Sequence, residues 1–176
     1  MYSKGIVLRK WKNRKMKDTL YYHRITESEK YIISSWKYIG KESVYNRPSY
    51  EEDKKTRTGF ADDANHFYSF YEGGNLIGYI NLREKENGIW FGIGVNPTCC
   101  GQGYGQRIIV QAFGIAKKLF GDKRLYLEVR TWNKRAIRCY EKCGFQIVGD
   151  AFGKCVRNGE DKFWLMMNVD SRIQGE

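Results

Sequence analysis

Apolar and polar positions follow two rhythms along this chain, and the change at Gly105 separates a strand-rich part from one that begins with a helix. Residues 5–9 (Gly-Ile-Val-Leu-Arg) predict a short edge strand, and the mixed polar and aromatic stretch that follows to Trp36 predicts one or two helices. Residues 41–65 are polar, carry Pro48 and the charged run 51–55, and keep no apolar period. They predict a loop or short helices bordering a substrate. Residues 66–71 and 76–82 predict two strands around the turn Glu72-Gly73-Gly74-Asn75. Residues 89–95 predict a third strand between Asn87-Gly88 and Pro97, which completes an antiparallel meander.

Beyond Gly105, the positions Ile108, Ile109, Ala112, Phe113, Ala116, Leu119 and Phe120 recur at helical spacing until Gly121 supplies a stop. Residues 124–130 predict a strand, Asn133 opens a short helix through Cys143 that Gly144 ends, and residues 145–148 and 163–167 predict closing strands. With no repeat and no linker, one domain over residues 1–176 is expected.

Composition narrows the classes. Hydrophobic residues make up 41% and the aromatics are Phe 9, Trp 5 and Tyr 13, enough apolar area to exclude intrinsic disorder. No apolar run is long enough for a membrane span and no signal-peptide block follows Met1, so a cytoplasmic protein without a membrane partner is expected. The five cysteines lack the spacing of a secreted framework, which predicts free thiols. Cys139 and Cys143 lie four apart, but no CxxC pair exists and His23 and His66 are distant, so no metal is expected. Lys and Arg number 31 against 20 Asp and Glu. The resulting charge of +11 predicts attraction to a polyanion and leaves nucleic acid, membrane surface and phosphorylated cofactor open. Within the first twenty residues Lys4, Arg9, Lys10, Lys12, Arg14, Lys15 and Lys17 face only Asp18, a solvated basic segment.

Between the third strand and the long helix stands Cys100-Gly101-Gln102-Gly103-Tyr104-Gly105-Gln106, where main-chain N–H groups and a helix N-terminus make an anion site. A strand-to-helix turn also takes glycine for steric reasons alone. A Walker loop would need Gly-Lys-Ser/Thr, whereas Gly105 precedes Gln106 and Arg107. A dinucleotide fingerprint from Gly101 and Gly103 would need glycine at Gln106, and it would open a βαβ unit rather than follow a meander.

The company of the loop is more specific. Val95-Asn96-Pro97 precede it, and Leu127-Glu128-Val129, Asn133, Ala136-Ile137, Tyr140-Glu141-Lys142 and Gly144-Phe145 follow. Together these resemble the GNAT acetyltransferase superfamily over roughly residues 67–167. The tail, Asn158-Gly159 with Asp161 and Met166, is most similar to the branch of ribosomal-protein N-terminal and spermidine acetyltransferases. The resemblance implies a mixed α/β (α+β) fold: a central, mostly antiparallel seven-stranded sheet, splayed between strands 4 and 5 and flanked by helices. It also implies acetyl-CoA as cosubstrate, its pantetheine lying in the split. By position, Ile93, Gly94 and Val95 would bond the pantetheine amides, and Cys100, Gly101, Gln102, Gly103, Tyr104, Gly105 and Gln106 would hold the pyrophosphate. Asn133, Ala136 and Tyr140 would flank the thioester. Relatives carry Arg or Gln at Cys100, whose shorter side chain leaves Gln102, Gln106 or Arg107 to reach the phosphates instead.

Acetyl transfer needs a neutral amine, a stabilised oxyanion and a proton for the departing thiolate. Tyr140 is the candidate acid, because a phenol of pKa about 10 stays protonated near neutral pH and can donate to a thiolate of about 8.5. Asn133 is also a preferred helix N-cap. Many relatives place a Glu where Trp90 stands, which leaves Glu128 as the candidate base, on the strand face opposite Leu127 and Val129. A salt-bridged or solvent-facing Glu128 fits the same pattern, and Glu84 and Glu86 read as solvated turn residues. An α-amine of pKa about 7.7 to 8.0 is neutral at about a tenth near pH 7, a lysine-type amine at about a thousandth, so a weak base suits the former. The positive excess disfavours a polyamine unless acidic patches at residues 51–53 or Asp62 and Asp63 receive it.

The combined reading is direct acetyl transfer to a primary amine, on a small molecule or a protein N-terminus, in a ternary complex without metal. A covalent route through Cys99 or Cys100 lacks a nearby histidine. A basic nucleic-acid-binding module and a GNAT-like acyl-CoA binder without catalysis are the alternatives. No specific nucleic acid is expected, and a homodimer is left open.

Overall fold

The structure is a computed structural model that describes residues 19–157 and 159–169. The edge strand expected at residues 5–9 and most of the basic N-terminal segment lie outside the described residues. The strands are β1 (Tyr21–Arg24), β2 (His66–Glu72), β3 (Asn75–Lys85), β4 (Gly88–Val95), β5 (Leu125–Arg130), β6 (Phe145–Val156) and β7 (Gly159–Asn168). The helices are α1 (Glu27–Ser34), α2 (Tyr50–Thr56), α3 (Tyr104–Phe120) and α4 (Lys134–Lys142), with short 3-10 turns at Gly40–Tyr45, Gly59–Ala61 and Pro97–Cys99. None of the described helices is long and apolar enough to cross a membrane.

The strands form one seven-stranded sheet in the order β1-β2-β3-β4-β5-β7-β6. Every neighbouring pair is antiparallel except β4 and β5. The expected meander is β2-β3-β4, and the polar stretch 41–65 folds as short helical pieces.

Three expectations need correction. Residues Tyr21–Arg24 are a strand, not part of a helix: four residues are too few to show a period, and pairing to β2 (Tyr21 with Tyr71, Arg24 with Tyr68) decides their conformation. The closing strands run well past residues 148 and 163, as the ribbon Phe145–Val156 and Gly159–Asn168. That extension is mostly exposed and bulged between Val148 and Phe152, so it lacks the alternation that marks a half-buried strand. Glu84 lies on β3 rather than in the turn, where its carboxylate meets Lys123.

Alternation divides the sheet into unlike faces. One face presents Phe70, Ile80, Leu82, Ile89, Phe91, Leu125, Leu127, Val129 and Met166, and α3 covers it with Ile108, Ile109, Ala112, Phe113, Ile115 and Ala116. Phe145 stacks on Phe91 and Phe113 there, and Ile137 attaches α4 to the same core. The opposite face presents Phe67 and Ser69, then Tyr79 and Asn81, then Trp90, Gly92 and Gly94, then Tyr126, Glu128 and Arg130. A smaller cluster, Ile33, Tyr50, Phe60 and Phe67, packs α1 and α2 over its first strands only. The remainder of that face is half-buried and mixes the rings of Trp90 and Tyr126 with the charged groups of Glu128 and Arg130.

Candidate active site

The site begins where β4 and β5 part. Their pairing covers Ile89 with Leu125 and Trp90 with Tyr126 and then stops. Ile89 N–H donates to Arg124 O (2.8 Å) on the β5 side, whereas Asn96 N–H donates to Ile77 O (2.7 Å) on the β3 side. Strand alternation therefore turns the main-chain groups of Phe91, Ile93 and Val95 toward the split, where no strand meets them. Those of Gly92 and Gly94 turn toward β3. Of the three residues expected to bond pantetheine, Ile93 and Val95 thus turn their main-chain groups into the split, whereas Gly94 lines it through its lack of a side chain. A Cβ at Gly94 would collide with the ring of Tyr79. Tyr38 already donates its hydroxyl to Val95 O at 2.7 Å, evidence that this carbonyl accepts a donor from within the cleft.

The split opens into a cleft of about 550 Å³. From the α3 face it is lined by Ile109, Ala136, Cys139 and Tyr140; from the opposite face by Tyr38, Glu42, Tyr45, Tyr79, Glu128, Arg130 and Phe163. It therefore passes through the sheet. Glu42 and Tyr45 come from the segment 41–65 that predicted only a substrate border, Tyr38 stands just before it, and no local pattern singled the three out.

At one end lies the glycine corner. Gly101 and Gly103 take φ of +80° and +84°, which glycine adopts without strain, and Gly103 caps α3 with no side-chain hydrogen bond. The first-turn amides of Tyr104, Gly105 and Gln106 consequently have no side-chain cap, and the corner around them lines the cleft. Cys100 turns its thiol back to Asn96 O (3.6 Å) and Val95 O (3.8 Å), and burial pushes that thiol up. Gln102 lies outside the cleft lining, because its Nε2 donates to Thr98 O at 3.1 Å. Arg107 pairs with Glu72 at 2.6 Å, so of Gln102, Gln106 and Arg107, the side chains expected to reach the phosphates in place of Cys100, only Gln106 lines the cleft. Lys134, Arg135, Arg138 and Lys142 from α4 line it as well and bring the cations.

Asn133 takes two roles at once: its Oδ1 accepts from Ala136 N–H (3.1 Å) as the N-cap of α4, and its Nδ2 donates to the Tyr45 hydroxyl (2.8 Å). Tyr140 packs its ring edge-on to Phe145 (6.0 Å between centroids) and reaches the cleft from the α3 face. Burial pushes its phenol well above the ordinary value, which keeps it protonated. Glu128 reaches the cleft from the other face and meets Lys154 Nζ at 2.7 Å. Trp90, at the position where many relatives carry a Glu, packs on Tyr126 at 5.2 Å between centroids. The five cysteines are free. Cys99, Cys100 and Cys139 line the cleft, and a thiol hydrogen bond from Cys143 holds Cys139 down. No group among the described residues assembles the donors of a metal site.

Comparison with known proteins gives concordant results. The Acetyltransferase (GNAT) family model matches residues 26–145. N-alpha-acetyltransferase RimI of Mycobacterium tuberculosis is 34% identical over 94 residues, which span 51% of this chain and 57% of that relative. Among solved structures, spermidine N-acetyltransferase from Vibrio cholerae in complex with CoA and spermine superposes with a TM-score of 0.73 at 20% identity, covering 89% of this chain and 99% of that one. A chimera of the Vibrio cholerae SpeG enzyme and hSSAT gives the same TM-score of 0.73 at 20% identity, over 90% of this chain and 99% of its own. At that identity the superpositions establish the fold. A sheet parted at β4 and β5, an uncapped helix after a glycine corner and a family match over residues 26–145 converge on one conclusion: the chain belongs to the GNAT acetyltransferase family.

Proposed function

We propose that this protein is an acetyl-CoA-dependent N-acetyltransferase that acts on an α-amine by direct transfer in a ternary complex. One observation carries the reading: the cleft runs through the sheet with a carboxylate, Glu128, entering from one face and a phenol held protonated, Tyr140, from the other. The strand edge at Ile93 and Val95 suits the pantetheine amides, with the Tyr38 hydroxyl yielding Val95 O, and the amides opening α3 with the α4 cations suit a diphosphate. Acetyl-CoA supplies the activated thioester. Glu128 takes a proton from the acceptor ammonium, which frees the lone pair for attack, and Tyr140 gives a proton to the departing thiolate. Placing the two on opposite faces keeps base and acid from quenching each other. The RimI relative is named for α-amine acetylation, and a carboxylate already held by Lys154 suits an amine of low pKa. The large aromatics Phe67, Phe70, Phe91, Phe113 and Phe145 are buried, which disfavours their use as a nucleic-acid stacking surface.

Acetyl-CoA at about 100 times its dissociation constant is expected to stabilise the protein by about 2.7 kcal/mol in a thermal-shift titration. Thiol release across peptides, amino acids, aminoglycosides and polyamines then tests the reaction, with Tyr140→Phe expected to lower kcat by about 10²- to 10⁴-fold. A Phe variant that turns over at the parent rate removes the acid assignment.

A further inference from the structure

Most carboxylates around the face that carries Glu128 are paired with the protein's own cations. Asp161 receives Arg130 Nε (2.7 Å) and Trp132 Nε1 (3.2 Å), Asp53 receives Arg47 (3.1 Å), and Glu52 receives Arg157 (3.1 Å). Asp62 is bonded to Arg83 and Glu51 to Lys54 (2.7 Å), so four of the five carboxylates at residues 51–53, Asp62 and Asp63 already hold a cation. Glu42 lies at the coenzyme end, close enough to the Cys100 thiol to raise it, and Glu86 stands in the exposed turn beyond β3.

Two lysines share one indole beside the base. Lys85 Nζ lies 4.3 Å and Lys154 Nζ 5.7 Å from the ring centroid of Trp90. Lys154 also bonds Glu128, whereas Lys85 has no carboxylate within ion-pair distance among the described residues. The base position is thus occupied by a lysine ammonium, and a second ammonium waits nearby without an anion. An acceptor ammonium that takes the Lys154 place on Glu128 leaves Lys154, like Lys85, beside Trp90 without an anion. A cationic acceptor adds to that repulsion; an acceptor that carries its own carboxylate relieves it.

We infer that the preferred acceptor is an α-amine with a carboxylate a few bonds away, its amine on Glu128 and its carboxylate between Lys85 and Lys154. This rests on Glu128 receiving the acceptor amine, as proposed above. Such a group belongs equally to a free acidic amino acid and to a peptide whose second residue is acidic.

The test is a competition assay at saturating acetyl-CoA with the C-terminally amidated peptides Ala-Glu-Gly-Gly, Ala-Gly-Gly-Gly and Ala-Lys-Gly-Gly, free glutamate and spermidine. The acidic peptide or glutamate is expected to lead the lysine peptide and spermidine by roughly tenfold or more in kcat/KM, and which of the two leads identifies the source. The lead should shrink as salt rises from about 0.05 to 0.5 M, because added ions shorten the reach of the lysine charges. Lys85→Glu should reverse the order of acidic and lysine peptides, and its unchanged thermal shift with acetyl-CoA would show that the variant is folded. Preference for spermidine or the lysine peptide, or a Lys85→Glu ratio equal to the parent's, overturns this inference and leaves the acetyltransferase reading standing. No transfer to any amine overturns both.

Discussion

The two faces of the sheet are built on different principles. Under α3 the contacts are apolar, continuous and drawn from every strand but β6's outer half, so that face holds the fold together by exclusion of water. Across the sheet the cluster of Ile33, Tyr50, Phe60 and Phe67 covers only the β2 and β3 side, and ion pairs and aromatic rings finish the surface. The first face tolerates no vacancy and the second leaves room for a substrate. Stability and chemistry should consequently separate by face under mutation.

Glu128→Gln probes the open face most severely. Loss of the candidate base is expected to lower kcat/KM by about 10²- to 10⁴-fold, while the melting temperature stays near the parent's. The carboxylate's partner, Lys154, is 47% exposed in its side chain, and a pair that open contributes at most about 1 kcal/mol. Steady-state assays and calorimetry on one preparation read both quantities. A large fall in stability would mean that Glu128 serves the fold and the contrast fails.

Phe145→Ala makes the opposite demand. Its ring is 1% exposed and lies among Phe91, Phe113 and Tyr140, so truncation should cost about 3 to 5 kcal/mol in chemical denaturation. With acetyl-CoA placed in the split, as proposed above, rather than in this core, the coenzyme should still stabilise whatever fraction folds. Equal losses from Phe145→Ala and Glu128→Gln in the same assay would erase the distinction between faces.

The same difference explains what the sequence made legible. The α3 face could be read from periodicity, because Ile108, Ile109, Ala112, Phe113 and Ala116 must recur to meet strands whose inner residues alternate. The glycine corner was visible for a related reason, since positive φ at Gly101 and Gly103 leaves a mark in composition. Nothing periodic announced β1, the outer ribbon of β6 and β7, or the approach of Tyr38, Glu42 and Tyr45 to the cleft. Those features depend on which distant segments meet. Gln102 illustrates the limit from the other side: it stands in the glycine loop, but a bond to Thr98 O turns its side chain away.

Glu29 tests whether the open face has a stabilising centre of its own. Its side chain is 5% exposed; burial alone would raise its carboxyl, but donors from Tyr71, the Thr26 main chain and Ser69 outweigh that and hold it below the ordinary value. A folded-state value below the unfolded one means that the stabilisation is present above about pH 4.5 and is lost as pH falls through the folded value. Glu29→Gln should therefore cost about 1.5 to 3 kcal/mol near neutral pH and little in acid, giving a flatter stability curve below about pH 4.5 than the parent's. Parallel curves for parent and variant would show that the network is not linked to protonation.

Thr26→Ala separates that network from the helix end it happens to cap. Thr26 and Glu29 form a capping box at the start of α1, but the two halves are unequal: Glu29 Oε2 accepts from Thr26 N–H at 2.7 Å, whereas Thr26 Oγ1 accepts from Glu29 N–H at 3.4 Å. The longer bond predicts a cost near the low end of the range for removed caps, about 0.5 to 1 kcal/mol. Substitution of the side chain leaves the Thr26 main-chain donor in place, so the acid limb of the stability curve should keep the parent's slope. The Glu29 substitution removes the bonds from Tyr71 and Ser69 to a carboxylate, which a cap alone does not supply. If Thr26→Ala proved as costly as Glu29→Gln and equally sensitive to acid, α1 would be held by its own first turn rather than by β2. The open face would then owe its order to local sequence, as α3 does, and the two faces would differ only in polarity.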